Sequence, residues 1–218
     1  MSEVADRSDA GLSGPALSRS GLKRRSILEA ARTVFLQNGY AGTSMDQIAA
    51  LAAVSKQTVY KNFVDKERLF TEVITGNIAE AESRSQSLLD ALPDSDDPRR
   101  DLQEFARQHI VTVMQPHLVR MRRILISEAD RFPELARTWF ESGPERGHAT
   151  LAERFAELTD RGHLHIDDPL LAAQHFNWLV LSIPLNQAMF RAVDEDVPKA
   201  ELERYADEGV RVFLAAYG

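Results

Sequence analysis

Residues 44–63 read SMDQIAALAAVSKQTVYKNF, and this stretch determines the fold of the N-terminal part of the chain. The pattern predicts two short helices joined by a tight turn at Ala53 and Val54. Ser44 can accept a hydrogen bond from the amide of Gln47 while the Gln47 side chain returns to the Ser44 amide, which is the reciprocal capping box of a helix start. Small alanines on the inward face of the first helix allow the second to cross closely, as a helix-turn-helix requires.

The second helix of this stretch begins at Ser55, a favourable N-cap residue, and turns Val59 toward the core. Its outward side chains are hydrogen-bond donors and flat groups without a carboxylate: Lys56, Gln57, Thr58, Tyr60, Lys61 and Asn62. Such side chains bond phosphate oxygens and reach base edges in the major groove of DNA. The pattern alone leaves an ordinary polar helix of a helical protein as an equal alternative.

The neighbouring residues favour the DNA-binding interpretation. The segments GYAGTS at 39–44, AVSKQTVYKNF at 53–63 and DKE at 65–67 resemble the DNA-binding domain of TetR-family transcriptional regulators. The resemblance covers about residues 23–74. The sequence departs from the family pattern at Ala53 and Gln57, where the family usually or commonly has glycine, so the base preference of a relative cannot be transferred.

The resemblance implies a set of DNA-contacting residues. For phosphates we expect contacts from Thr43, Ser44, Tyr60, Lys61 and Lys66. For base edges we expect contacts from Lys56, Gln57 and Thr58, and Ser55 and Asn62 complete the interface. The tyrosine and lysine roles carry over from the family position by position, whereas the base-reading positions vary within it.

Composition places the chain among ordinary globular proteins. Of its 218 residues, 44% are hydrophobic and 27% are charged, which suits one or two domains. The absence of cysteine excludes disulfides and thiolate metal or redox sites. Residues 1–70 hold ten Lys and Arg against seven Asp and Glu, whereas the remaining residues hold 16 against 26. Because only the N-terminal part is basic, we expect salt-sensitive DNA binding that is confined to one face.

Residues 1–20 are rich in Ser, Gly, Asp and Ala without an apolar period, so we expect a disordered arm. The start lacks the basic and apolar regions of a secretory signal, and we expect a cytoplasmic protein. Four basic residues either reach DNA from the arm or form a solvated helix start: Arg19, Lys23, Arg24 and Arg25. An apolar stripe from Ile27 to Phe35 then predicts a helix that ends at Asn38 and Gly39.

Every later segment has a helical period, and no strand pattern occurs, so we predict an all-α protein of about nine helices. Three helices form the helix-turn-helix domain over residues 21–70, and residues 71–218 form a second helical domain. A long helix over residues 65–92 is expected to join the two, so that tilting one end moves the other.

The sequence of the second domain predicts one helix break and one strongly apolar helix. Gly143 and Pro144 should interrupt the helical region between Leu135 and Leu158. The stretch 176–190 is apolar nearly all round, but its polar interruptions make it too short for a membrane span, so we expect no membrane partner.

The TetR resemblance implies a homodimer whose last two long helices pack against their mates as a four-helix bundle. Residues 71–218 then form a ligand-binding and dimerisation domain. Two recognition helices about 34 Å apart can read a palindromic site in double-stranded DNA. For the interface we expect Leu181, Leu185, Leu202, Gly209, Val210 and Phe213. The alternative is that these apolar helices are simply the core of a monomer.

The resemblance also implies a small-molecule pocket among the middle helices. We expect its lining to include Phe105, His109, Met121, Trp139, Phe140, His175 and Trp178. The aromatic and apolar character of these residues indicates a largely hydrophobic effector. Ordinary core positions are the alternative for Trp139 and Phe140, and hydrogen-bonded core histidines are the alternative for His109 and His175.

An enzyme is the alternative of a different class. The sequence has no Gly-rich phosphate loop, nucleophile elbow or cysteine nucleophile. His163 and His165 lie near Asp167 in a spacing that can bind a divalent ion, but this loop already serves as a turn and a helix start. We therefore predict no catalytic residue, no metal site and no cofactor.

These features lead to one functional expectation. The chain is expected to be a sequence-specific DNA-binding transcriptional regulator, a repressor that a small molecule releases from a palindromic operator. An activator or ligand-independent regulator of the same fold is the alternative within this class. A ligand-binding protein or enzyme that has lost DNA binding is the alternative outside it.

Overall fold

The computed structural model describes residues 19–76, 89, 97–191 and 197–218, and helix is the only regular secondary structure within these ranges. The predicted all-α class is confirmed. The helices are α1 Arg19–Asn38, α2 Met45–Leu51, α3 Lys56–Asn62, α4 over 66–76, α5 Pro98–Val113, α6 Pro116–Ser127, α7 Pro133–Phe140, α8 Arg146–Asp160, α9 Pro169–Phe190 and α10 Lys199–Tyr217. A π-helix, Glu141–Glu145, joins α7 to α8.

Local capping signals set the starts of the short N-terminal helices. Both hydrogen bonds of the capping box between Ser44 and Gln47 are present at the start of α2. The hydroxyl of Ser55 accepts from the amide of Thr58 at 3.2 Å, and α3 begins there. The Asp65 carboxylate accepts from the amide of Arg68 at 2.7 Å in the first turn of α4. The two caps predicted at Ser44 and Ser55 are confirmed, and Asp65 provides a third.

The turn between α2 and α3 contains Ala53, whose φ is +52°. A Cβ in this left-handed region costs roughly 1–2 kcal/mol, which is why glycine is favoured there. Alanine at this position therefore keeps the turn of a helix-turn-helix while adding strain to it.

The N-terminal helices bury one hydrophobic core. Ile27 and Phe35 of α1, Ile48 of α2, Val59 of α3 and Phe70 of α4 are fully buried in it. The C-terminal helices α6 and α7 contribute to the same core with Met121, Leu125, Phe132 and Leu135. The first domain is thus packed against α6 and α7, although both follow residue 70 in the sequence.

A second core lies among α5, α8, α9 and α10. Four aromatic rings, one from each helix, form its centre, with neighbouring centroids 5.0–5.9 Å apart: Phe105, Phe155, Phe176 and Phe213. At its edge, the guanidinium of Arg107 donates two hydrogen bonds to the Asp207 carboxylate at 2.7 and 2.8 Å and so joins α5 to α10.

The predicted dimer-interface residues require correction. All six are buried inside the chain itself: Leu181, Leu185, Leu202, Gly209, Val210 and Phe213. A Cβ on Gly209 would lie 3.0 Å from the backbone carbonyl of Leu179, so this glycine lets α10 cross closely over α9 of the same chain. The close approach at Gly209 is therefore between two helices of the same chain.

Three other expectations change at their boundaries. The basic residues from Arg19 to Arg25 lie in α1, so a helix start replaces the basic arm, while residues 1–18 lie outside the described ranges. The long helix over 65–92 is described only at 66–76 and 89. Gly143 and Pro144 do not interrupt the chain of helices, because the π-helix carries it from α7 into α8.

None of the helices in these ranges combines the length and apolar character that a bilayer crossing needs.

Candidate DNA interface and effector cavity

The outer face of α3 carries the side chains predicted to meet DNA. Lys56, Gln57, Tyr60 and Lys61 are exposed, and the Tyr60 side chain is 44% exposed despite its aromatic ring. Val59, on the opposite face, anchors the helix in the core. The helix therefore presents two ammonium groups, an amide and a phenol on one surface.

Three polar side chains of this region stabilise α3 itself. The Ser55 and Thr58 hydroxyls lie 2.8 Å apart in a hydrogen bond, in addition to the cap that Ser55 provides. The Asn62 side-chain amide donates to the Thr58 carbonyl at 2.8 Å. These contacts fix the orientation of the exposed groups, and any contact of the three side chains with DNA would be additional to this role.

Three side chains that were expected to contact phosphates make hydrogen bonds within the chain instead. Thr43 is buried, and its hydroxyl donates to the Gly39 carbonyl at 2.7 Å, so it points away from solvent. The Ser44 hydroxyl is held by the capping box. The Lys66 ammonium donates to the carbonyls of Tyr40 and Thr43, each at 2.9 Å, so two of its three N–H groups hold the loop before α2.

Tyr40 is the centre of this loop. The Lys66 ammonium lies 4.4 Å from the centroid of its ring, and the Arg131 guanidinium lies 4.8 Å from the same centroid. The Phe132 ring packs edge-on against Tyr40 with centroids 4.8 Å apart. Burial raises the pKa of the Tyr40 phenol. The loop before the helix-turn-helix is thus in direct contact with the corner between α6 and α7.

A cavity of about 240 Å³ lies between α5, α6, α7, α8, α9 and the π-helix. Six predicted residues line it: Phe105, His109, Met121, Trp139, Phe140 and Trp178. His175 is the exception and is corrected: it is exposed, and its Nδ1 lies 2.6 Å from the hydroxyl of Tyr217 in a hydrogen bond. It occupies the outer side of α9, two residues from the inward-facing Asn177.

Two histidines lie in the cavity wall. The His109 Nε2–H donates to the side-chain oxygen of Asn177 at 3.0 Å, and burial lowers the pKa of His109 despite this bond. His148 is 6% exposed, and its Nε2 has no hydrogen-bond partner among the described residues. Burial lowers the pKa of His148 as well, against the opposing effect of Glu145. Both imidazoles are therefore neutral at pH 7.

Two parts of the chain match known protein families. Residues 27–73 match the family of bacterial regulatory proteins named after tetR, and residues 100–218 match the C-terminal domain of AefR-like transcriptional repressors. The chain belongs to the TetR family. The predicted family is confirmed, and with it a DNA-binding transcriptional regulator rather than an enzyme.

Two solved structures are similar over most of the chain, and a sequence relative is similar over less than half of it. A regulator from Mesorhizobium loti MAFF303099, known from its crystal structure, is 44% identical, with a TM-score of 0.86 over 93% of this chain and 100% of that one. The flavonoid-responsive regulator FrrA is 36% identical, with a TM-score of 0.66 over 90% and 97%. The regulator YhgD of Bacillus subtilis strain 168 is 37% identical over 42% of this chain and 50% of YhgD. The chain spans about half the length of YhgD and of the regulator AcrR of Shigella flexneri, and a smaller share of other relatives matched by sequence.

Asp46 is a feature of this TetR-family surface that sequence reasoning missed. Its carboxylate lies 2.8 Å from the Lys56 ammonium, and both side chains are more than half exposed. The hydrogen bond and charge of Asp46 raise the pKa of Lys56. The two residues are ten positions apart, and only the crossing of α2 and α3 brings them together. A carboxylate thus stands beside the surface that was predicted to have none.

Replacing Asp46 with Asn is expected to strengthen non-specific DNA binding by about two- to fivefold, because it removes a negative charge that repels phosphate and frees Lys56. Fluorescence anisotropy with a duplex of unrelated sequence at several salt concentrations measures this. Asp101→Asn, which changes a first-turn carboxylate of α5, is the matched control. Unchanged or weaker binding of Asp46→Asn would contradict an interfering role of Asp46.

The cavity also holds residues that the sequence did not single out. Arg122 and His148 supply polar groups, and Gly143, Pro144 and Gly147 form the wall at the π-helix. A Cβ added to Gly143 or Gly147 would meet no atom within 4 Å, so this wall is open. In the sequence, Gly143 and Pro144 indicated a break in the helix. Only the structure shows that both residues line the cavity.

The two cavity histidines make stability depend on pH. Because their pKa values in the folded chain lie below the ordinary value of about 6.5, the unfolded chain binds protons that the folded chain does not. The two neutral histidines make their full contribution to the free energy of unfolding above about pH 6.5. This free energy is expected to fall as the pH drops below that value. Urea unfolding between pH 5 and 8 measures the slope, which should shrink in His148→Gln but not in the exposed His163→Gln. An identical slope in both variants would refute this origin.

A further surface lies on the outer sides of α9 and α10. Large apolar side chains of α9 are exposed at spacings of eight, four and seven residues, which place them on one side of the helix: Leu171, Leu179, Ile183 and Phe190, which are 45%, 37%, 51% and 87% exposed. On α10, the exposed side includes Val212, Ala215 and Ala216. This outer α9–α10 face is separate from the buried stripe that packs the two helices on each other.

Proposed function

We propose that this TetR-family regulator is a repressor that binds a palindromic operator as a homodimer and leaves it when a small molecule occupies the cavity. The observation that carries the proposal is that two side chains belong to both sites. Met121 and Trp139 line the cavity, and both pack in the core that supports α1–α4. A ligand that displaces either side chain therefore acts on the packing beneath the recognition helix α3. The likeness to the AefR-like repressor C-terminal domain supports the repressor role.

The corner between α6 and α7 offers a route for this effect. Phe132 and Arg131 contact the Tyr40 ring, and Lys66 joins the same loop to α4. A ligand that prefers one arrangement of this corner shifts the orientation of the two recognition helices. Release then follows from the difference in ligand affinity between the two arrangements.

The homodimer is supported by the outer α9–α10 face. Several exposed apolar side chains on two adjacent helices are costly in water, and a two-fold copy of the same face would cover them. Leu179, Ile183 and Val212 replace the interface residues that were predicted from the sequence. Dimerisation places two α3 helices on one DNA molecule, which a palindromic site requires.

The effector is expected to be largely hydrophobic, since aromatic and aliphatic side chains make most of the cavity wall. The relative FrrA, 36% identical over most of both chains, is named as responsive to flavonoids, which supports a flat aromatic molecule. A protein that binds operator DNA acts in the cytoplasm, where that DNA lies. An activator would use the same surfaces, so the test must read transcription as well as binding.

The test is fluorescence anisotropy with the intergenic DNA beside the protein's own gene, at about 0.15 M salt, and with an unrelated duplex as control. Specific binding should exceed non-specific binding by at least ~10³-fold. A reporter transcribed from the same intergenic DNA should be repressed by the protein, and an effector should restore it. If the protein activated the reporter instead, its role would be that of an activator and not of a repressor. Equal weak binding to both duplexes would mean that the operator lies elsewhere, and genome-wide selection of bound fragments would follow.

A further inference from the structure

Among the described residues that line the cavity, the charged side chains are Arg122 and Arg146. Arg122 lines it from α6, with its guanidinium 4.9 Å from the centroid of the Trp139 ring. No hydrogen bond or ion pair joins Arg122 to another described residue, and none of the described lining residues is Asp or Glu. Burial lowers the pKa of the Arg122 guanidinium, and no carboxylate acts against this. A half-buried cation thus lies in the cavity wall, and the Trp139 ring is its one contact among the described residues.

His148 supplies a second incomplete group in the same wall. Its side chain is almost fully buried, and its Nε2 makes no hydrogen bond with any described residue. A buried ring nitrogen without a partner is unfavourable, and so is a half-buried charge without a nearby counter-charge. A ligand in the cavity can complete both groups, and the two together define what that ligand must carry.

We propose that the effector is an aromatic organic anion whose negatively charged oxygen group, a carboxylate or a phenolate, binds Arg122 and bonds the Nε2 of His148. The inference rests on the proposed function, because it names the class of molecule that the effector cavity takes. The aromatic body of the anion lies among Phe105, Trp139 and Phe176, which line the same space.

The choice of an anion follows from electrostatics. In a partly buried site, a negative charge close to Arg122 is attracted and a positive charge is repelled. A guanidinium also presents parallel N–H donors that fit two carboxylate oxygens. Cationic ligands are therefore disfavoured, and neutral ligands leave the Arg122 charge without a partner.

Two matched pairs of probes test this class on the purified protein without DNA. The carboxylate pair is 2-naphthoate and 2-naphthamide, and the phenol pair is 7-hydroxyflavone at alkaline pH and 7-methoxyflavone. Isothermal titration calorimetry gives the affinities. The chain has two tryptophans, Trp139 and Trp178, and both line the cavity, so shifts of their two indole N–H signals in NMR show binding at this site.

At least one anion should bind at least tenfold more tightly than its neutral counterpart. A preference only within the naphthalene pair assigns a carboxylate, a preference only within the flavone pair assigns a phenolate, and either result supports the inference. Equal affinities within both pairs, binding without shifts of the indole signals, or no binding by any probe would overturn it.

Substitutions of Arg122 test the residue itself. Arg122→Met keeps the apolar stem and should abolish the preference for the anion without lowering the thermal unfolding temperature of the free protein. Arg122→Lys should restore part of the preference, because it restores the charge without the paired donors. Arg137→Met, which changes an exposed arginine of α7, is the matched control and should keep the preference. A preference that survives in Arg122→Met overturns the assignment.

Failure of this inference is distinguishable from failure of the proposed function. Anion binding is measured on the protein alone, whereas operator release is measured by anisotropy on the complex. An anion that binds through Arg122 but leaves the operator complex intact would support the inference and contradict ligand release.

Discussion

Replacing Ile183 with glutamate is expected to convert the protein into a monomer of 24.4 kDa and to reduce operator affinity by about 10³-fold. Ile183 is 51% exposed on the outer α9–α10 face, so the change leaves the fold of one chain unaffected. In a two-fold dimer the substitution occurs twice, and each new carboxylate loses its water without gaining a partner. A monomer offers one recognition helix, and the affinity then approaches that of non-specific binding.

Size-exclusion chromatography with light scattering measures the mass, and anisotropy measures operator binding. Ile126→Glu is the matched control, because Ile126 is an equally apolar side chain, 61% exposed, on α6 and away from the outer face of α9 and α10. It should remain dimeric and bind the operator normally. A dimeric Ile183→Glu, or a monomeric protein before any substitution, would refute this interface.

Replacing Tyr60 with alanine is expected to weaken binding to every DNA sequence, by about 10²-fold or more for the dimer. A hydrogen bond to a charged phosphate contributes about 1.5–3 kcal/mol, and a dimer makes the contact twice. The Tyr60 phenol is exposed on α3 and is not needed for the core, so stability should change little. Anisotropy with the operator and with an unrelated duplex gives both affinities.

Gln57→Ala is the comparison for Tyr60→Ala. Gln57 is exposed near the start of α3 and is expected to meet a base edge, where a good contact is worth about 1–3 kcal/mol for one base pair. Its loss should alter preference at particular operator positions and leave non-specific binding unchanged. If both substitutions weakened binding to all sequences equally, the assignment of Tyr60 to a phosphate and of Gln57 to a base edge would be wrong.

The helix-turn-helix could be predicted because its signals are local. Ser44, Ser55 and Asp65 each cap a helix through an amide three residues away, and such a bond depends on little beyond those residues. The apolar stripe of α1 is equally local. The loop contacts of Lys66 could not be predicted in the same way, because they join it to carbonyls 23 and 26 residues earlier.

The interface residues were mistaken for a physical reason. An apolar stripe predicts that a helix face is buried but does not distinguish burial against the same chain from burial against a copy. Val210 and Phe213 are covered by their own chain, whereas Ile183 is exposed. An apolar residue that the core does not need, such as Phe190 at 87% exposure, is the better sign of an intermolecular surface.

The cavity was predicted at its aromatic residues and at His109, whereas Arg122 and His148 were missed. Phe105 and His109 lie on the apolar stripe of α5, where periodicity finds them. Arg122 reads as a surface arginine, because helix position alone does not show that it lies over Trp139. His148 follows the π-helix, whose wider turn shifts the faces of α8 away from those that a regular period would give.

The open wall at the π-helix makes ligand specificity easy to change. Because a side chain at residue 143 or 147 would enter empty space, single mutations there can reshape the cavity without disturbing the core or the DNA-reading surface. Selection or engineering can therefore explore new effectors while the operator stays the same. This separation would let a lineage of such regulators, or a biosensor built from this one, acquire a new chemical input in small and viable steps.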